Sequence, residues 1–216
     1  HTETMAPLYG ADLTVERDGE GATARVRGGA ALKAFDLEVP GDPSSAAFAA
    51  AAALICADSE VTLRGVMTNP ARFGFYQTLQ EMGADLTLVP AGTRAGEPLV
   101  DLKVRTSALR GVDVPPERAP SMIDEYPILS VIAAFATGRT VMRGLSELRA
   151  KESDRLAASA AMLVANGVAV ELEADSLIVE GCGPSGPPGG GTVLTHHDHR
   201  LAMSGLVMGL GAREAV

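Results

Sequence analysis

The sequence contains no tryptophan, and aromatic residues make up only 4% of its 216 positions. Its 46% hydrophobic content must therefore build a core largely from Ala, Val and Leu, which suits close packing of helices and sheets. There are only two cysteines, Cys56 and Cys182, and no CxxC pair. A disulfide framework or structural zinc site is thus not expected, and a reducing cytoplasm is. The longest apolar run, Phe48 to Ala57, falls well short of the ~20 residues that cross a bilayer, so a soluble protein is expected. No basic-then-apolar leader opens the chain, so secretion is not expected. Positive charge is also scarce, with 18 Lys and Arg against 27 Asp and Glu for a formal net charge of -9. Nonspecific nucleic-acid binding needs a net basic face, so any anion site here has to be local.

The length suffices for one large domain or two small ones. HTETMAPL at the start reads as the middle of a helix and GAREAV at the end is equally arbitrary, so a piece of a longer chain is expected.

What the sequence does have is repetition. GADLTV at residues 10 to 15 returns as GADLTL at 83 to 88, each after a helix-like stretch, TETMAPLY and then FYQTLQEM. MLVANGVAVEL, at 162 to 172, is a weaker third copy. Asp42, Asp124 and Asp198 each open an apolar helix, and the first two helices lead into VTLRGV at 61 to 66 and TVMRGL at 140 to 145. This predicts an α/β (α+β) chain of successive units of roughly 75 to 85 residues, each running helix, strand, helix, strand. PAGTRAGEP, VPPERAP and GCGPSGPPGGG read as connections between units. The last lacks the Gly-Lys-Ser/Thr ending of a phosphate-cradling loop and is predicted to be a surface connection.

The charged segment LRAKESDR, at 148 to 155, precedes an alanine-rich run. If one helix spans 148 to 165, Lys151 and Arg155 share a face at i and i+4, a like-charge pair that costs a few tenths of a kcal/mol. An anion held between them would turn repulsion into charge-assisted contacts, with Glu152 bracing Arg149 or Arg155. The plainer alternative is a solvated first turn with surface ion pairs worth little. In PSMIDEYP, Asp124 reads as a helix N-cap, a position from which it could also accept a proton from a substrate hydroxyl. HHDHR, at 196 to 200, lacks metal-ligand spacing. Asp198 reads as a cap, and Arg200 falls in the first turn, where the helix dipole opposes a cation unless an anion shares the site. Asp42 and Pro43 of PGDPSSAAF read simply as a helix start.

Taken in order, PGDPSSAAF, PSMIDEYPIL, LRAKESDRL and HHDHRLAMS closely resemble the 5-enolpyruvylshikimate-3-phosphate synthase family, the enolpyruvyl transferases of the shikimate pathway, in wording nearest to bacterial glyphosate-tolerant members. The resemblance implies a fold of two similar lobes, each built from three helix-and-sheet units, with the active site in the cleft between them. It places residues 1–37 at the end of the first lobe and 38–216 in a second lobe cut short before its last strand and helix. It implies Asp124 as acid/base at the 5-hydroxyl of shikimate 3-phosphate, Lys151 as its partner there, and Glu152 as the proton carrier for the enolpyruvyl methylene. Arg155 and Arg200 would clamp phosphoenolpyruvate, with His199 in support. Glu147 stands where some members have Asn near shikimate 3-phosphate. No metal or organic cofactor, nucleic acid or membrane is implied, and the full-length parent is expected to be a cytoplasmic monomer. A same-fold alternative is a UDP-N-acetylglucosamine enolpyruvyl transferase, whose cysteine loop is not found here. From another class, a noncatalytic anion-binding scaffold is disfavoured by the joint presence of Asp124, Lys151, Arg155 and Arg200.

Overall fold

The computed structural model describes residues 1–19 and 21–216. A short helix α1 (Thr2–Met5) with a following 3-10 turn leads into the hairpin β1 (Asp12–Asp18) and β2 (Gly21–Arg27), whose strands are largely exposed. After an irregular stretch come α2 (Pro43–Ile55), β3 (Glu60–Met67), α3 (Gly74–Glu81), β4 (Asp85–Arg94) and β5 (Glu97–Arg105). A second set follows, with β6 (Asp113–Val114), α4 (Tyr126–Phe135), β7 (Thr137–Met142), α5 (Arg155–Ala165), β8 (Val170–Leu172) and β9 (Leu177–Cys182). The last element is α6 (His199–Gly211).

The two sets repeat one topology. One sheet has the order β3-β5-β4, and the other runs β6-β7-β9-β8. In both, the last strand of the set inserts antiparallel between the two strands that precede it in sequence, β5 between β3 and β4 and β9 between β7 and β8. The parallel pairing of β6 with β7 is echoed in the first set by a parallel bridge from Gly41 to Val66. The predicted helix-strand-helix-strand unit is therefore incomplete, because a central strand, β5 or β9, closes each copy. In β5 the alternation is clear, with Leu102 and Val104 buried between exposed Lys103 and Arg105. What hides it in the sequence is the turn before it, where Ala95 and Gly96 both take positive φ and make a hairpin of PAGTRAGEP rather than a boundary.

Helices α2, α4 and α6 pack on one another, and all residues of α4 are buried. The alanines of α2, with Ala47, Ala50, Ala51 and Ala53 at most 1% exposed, let these neighbours approach closely. Asp42 caps α2 by accepting from the Ser44 and Ser45 amides at 3.1 and 3.0 Å, with Pro43 at the first position as the pattern predicts.

GCGPSGPPGGG is not a simple surface connection. Gly186 and Pro187 are buried, and the Gly191 amide donates to the Asn166 side chain at 3.0 Å while Gly189 donates to the Asn166 carbonyl at 3.2 Å. A side chain at Gly191 would strike the Ala165 carbonyl, so this strap can lie across the end of α5 only because it lacks one.

Candidate active site

The predicted continuous helix over 148–165 is broken. Ser146–Ala150 form a 3-10 turn, Lys151 is extended, and α5 begins only at Arg155 with Asp154 as its N-cap, accepting from the Ala157 amide at 2.9 Å. Lys151 and Arg155 are therefore not i and i+4 on one helix. They converge instead on the same atom, Lys151 from the extended stretch and Arg155 from the first position of α5, with Asp124 Oδ1 at 3.8 Å from Lys151 Nζ and 2.9 Å from Arg155 Nη1. Arg200 reaches Asp124 Oδ2 at 3.5 Å and its carbonyl at 3.4 Å. The anion between the cations, in this structure, is a side chain of the protein.

Asp124 is also not the N-cap of α4. It lies in a 3-10 turn, Ile123–Glu125, and α4 starts after Glu125 without a side-chain cap. The carboxylate is thereby free to point at the cations.

Arg155 is 1% exposed and organises the site. Its Nε donates to Asp198 Oδ2 at 2.7 Å, its Nη2 to Asp198 Oδ1 at 3.4 Å, and Glu152 lies 2.5 Å from Nη2. Burial alone would drive off the proton, but the hydrogen bond and charge of Asp198, with Glu152 and Asp124, hold the guanidinium above its ordinary value. Asp198 is the matching case. Burial would raise its carboxyl, yet bonds from Arg155, the Arg200 amide and Ser153 keep it below the ordinary aspartate range. Reading Asp198 as a cap was right, since it accepts from the Arg200 amide at 2.9 Å. Its larger task, holding the root of α6 to Arg155, was missed, and no local pattern could have revealed a partner 43 residues away.

Two other expected residues stand apart. Glu147 accepts from Lys151 Nζ at 2.5 Å and so sits at the rim of the cluster. Among the described residues, His199 is exposed and enters no side-chain hydrogen bond or ion pair. Arg149 forms a surface pair with Asp154 at 2.9 Å rather than with Glu152, and it also donates to the Ala174 and Glu173 carbonyls, tying the β8–β9 turn to the site's edge. Among the described residues no three His, Cys, Asp or Glu side chains converge to hold a metal ion.

The beginnings of α4, α5 and α6 thus meet at one cluster of opposed charges, with the start of α2 packed beside it. Helix N-termini favour anions, and three cations have been gathered there on top of that field. Such a place can bind a doubly or triply charged anion and move protons through Asp124 and Glu152.

Residues 1–216 match the family model for EPSP synthase (3-phosphoshikimate 1-carboxyvinyltransferase). The chain belongs to the EPSP synthase family. It is 62% identical over 215 residues to the 3-phosphoshikimate 1-carboxyvinyltransferase of Maricaulis maris, with 100% of this chain and 48% of that protein covered. The homologue from Granulibacter bethesdensis is 58% identical over 218 residues, again with 100% and 48% covered. The chain therefore spans about half the length of these EPSP synthases. An EPSP synthase structure from Acinetobacter baumannii superposes with TM-score 0.86 at 37% identity, covering 100% of this chain and 49% of that one. The enolpyruvyl transferase NikO from Streptomyces tendae, at 20% identity, TM-score 0.65 and coverage of 94% and 44%, shares the fold. The mixed helix-and-sheet architecture is thus that of the enolpyruvyl transferases.

Proposed function

We propose that the full-length parent of this chain transfers the enolpyruvyl group of phosphoenolpyruvate to the 5-hydroxyl of shikimate 3-phosphate, releasing phosphate. The observation that carries this reading is the convergence of Lys151, Arg155 and Arg200 on Asp124, at 3.8, 2.9 and 3.5 Å. Residues 38–216 are read as most of the second lobe and 1–37 as the end of the first. Cys56 and Cys182 are both free, and no described helix is long and apolar enough to cross a membrane.

Asp124 accepts the proton of the 5-hydroxyl as its oxygen bonds to the enol carbon of phosphoenolpyruvate, and Lys151 at its side steadies the charge. Glu152 delivers a proton to the methylene, making the methyl of a tetrahedral adduct. Collapse reverses that transfer. The methyl returns a proton to Glu152, the enol double bond reforms, and the carbon–oxygen bond to phosphate breaks with its electrons leaving on phosphate. Arg155 and Arg200 neutralise the charge that gathers there. On binding, the substrate anions replace Asp124 as the partner of Arg200, whose contacts to it, at 3.5 and 3.4 Å, are longer than the 2.9 Å of Arg155.

Arg200→Ala in the parent enzyme is expected to lower kcat/KM for phosphoenolpyruvate by about a hundredfold. Phosphate release with both substrates measures this. Absence of turnover by the unmodified parent, or an unchanged rate in the variant, overturns the assignment.

A further inference from the structure

Glu125 follows Asp124 directly and was not marked by the sequence motifs. It is 2% exposed, and no donor reaches either carboxylate oxygen within hydrogen-bonding geometry. A buried, unpaired carboxylate is costly, and such groups escape the cost by holding a proton. The groups around it are those of the candidate site and of its neighbour. Arg200 on α6, Arg72 on the 3-10 turn before α3, Ser44 at the start of α2 and Asp124 on its own turn all act on it. Tyr76 on α3 and Asp42 lie within reach of the same pocket, with Tyr76 donating to the Pro43 carbonyl at 2.7 Å. The 3-10 turn Ser146–Ala150, also packed on this one, carries Glu147, whose carboxylate is already taken by Lys151. Burial outweighs the pull of the Ser44 hydroxyl, which lies outside strict hydrogen-bonding geometry, and of the two arginines, and pushes the Glu125 carboxyl up from the ordinary glutamate value.

The charge count gives that proton a purpose. Lys151, Arg155 and Arg200 already face four carboxylates, those of Asp124, Glu147, Glu152 and Asp198. A fifth negative charge behind Arg200 would compete with any incoming anion for its guanidinium. We infer that Glu125 is a positioning residue held as a neutral acid, which leaves Arg200 to the anionic substrate. It acts through Arg200 and touches no substrate, and its kinetic consequence rests on the function proposed above.

The test compares the wild-type parent enzyme with Glu125→Gln in three measurements. Infrared spectra are expected to show a protonated-carboxyl carbonyl band that the variant lacks. For thermal stability, the folded state holds this proton more tightly than the unfolded chain, so wild-type stability falls as pH rises above the glutamate value of 4.5. Glu125→Gln is thus expected to be the more stable protein near pH 8, with the advantage gone by about pH 4. In kinetics, the wild-type KM for phosphoenolpyruvate is expected to climb as rising pH ionises Glu125, by on the order of tenfold, while the variant's stays flat and kcat follows the same pH course in both. An absent band, a stability difference independent of pH, or identical KM profiles overturns the inference. A parent without transferase activity refutes the proposed reaction, while the spectra and stability still decide whether Glu125 is neutral.

Discussion

Replacing Asp198 by alanine is expected to destabilise the protein by about 3 to 5 kcal/mol, the range found when one partner of a buried ion pair is removed. The Asp198 side chain is 0% exposed and that of Arg155 1%, so neither charge has water to fall back on. The substitution strips Arg155 of its Nε acceptor, leaves Ser153 without its partner and takes the cap from α6. Urea unfolding of the chain and of the variant measures the difference, and a loss under about 1 kcal/mol would mean that Asp198 only caps. Where the alanine variant does not accumulate, Asp198→Asn keeps the shape and the cap while deleting the charge. The pH dependence has a fixed sign. The folded-state carboxyl is held below its ordinary value of 3.8, so its stabilisation is fully present above that value and is lost as pH falls through the lower folded one. Asp198→Asn is therefore expected to flatten acid unfolding in that window.

Asp124→Asn in the parent enzyme is expected to reduce kcat by about 10²- to 10⁴-fold, the usual contribution of a positioned acid/base group. Asparagine is nearly isosteric and can still accept from Arg155, so binding of the substrates should weaken far less than turnover. Single-turnover kinetics separates the two. A variant with normal chemistry and impaired binding would reduce Asp124 to an electrostatic partner of Arg155 and Arg200. Its carboxylate, 28% exposed, makes a folding defect smaller than at Asp198.

These residues also show what a sequence can disclose. Asp42 and Asp198 were legible as caps because capping is local, acting on amides two or three residues ahead. Arg200 was legible as a misplaced cation for the same reason, and its partner proved to be Asp124. The helix break at Lys151 was not legible. Residues 148 to 165 have good helical propensity, and the segment opens where it meets tertiary contacts from Asp124, in the turn before α4, and Asp198, the cap of α6. Glu125 escaped because a glutamate at a helix start is ordinary, and only burial without a donor makes it unusual. The central strands were hidden by turns whose geometry, not composition, distinguishes a hairpin from a boundary.

Two capped helix starts give the molecule an internal control. Asp42 caps α2 and Asp198 caps α6, but only Asp198 has a buried arginine across from it, the Arg72 that lies 3.9 Å from Asp42 being partly exposed. Alanine at Asp42 removes a cap, worth about 1 kcal/mol. The excess loss at Asp198 over Asp42 then weighs a buried ion pair against a partly exposed one within one chain.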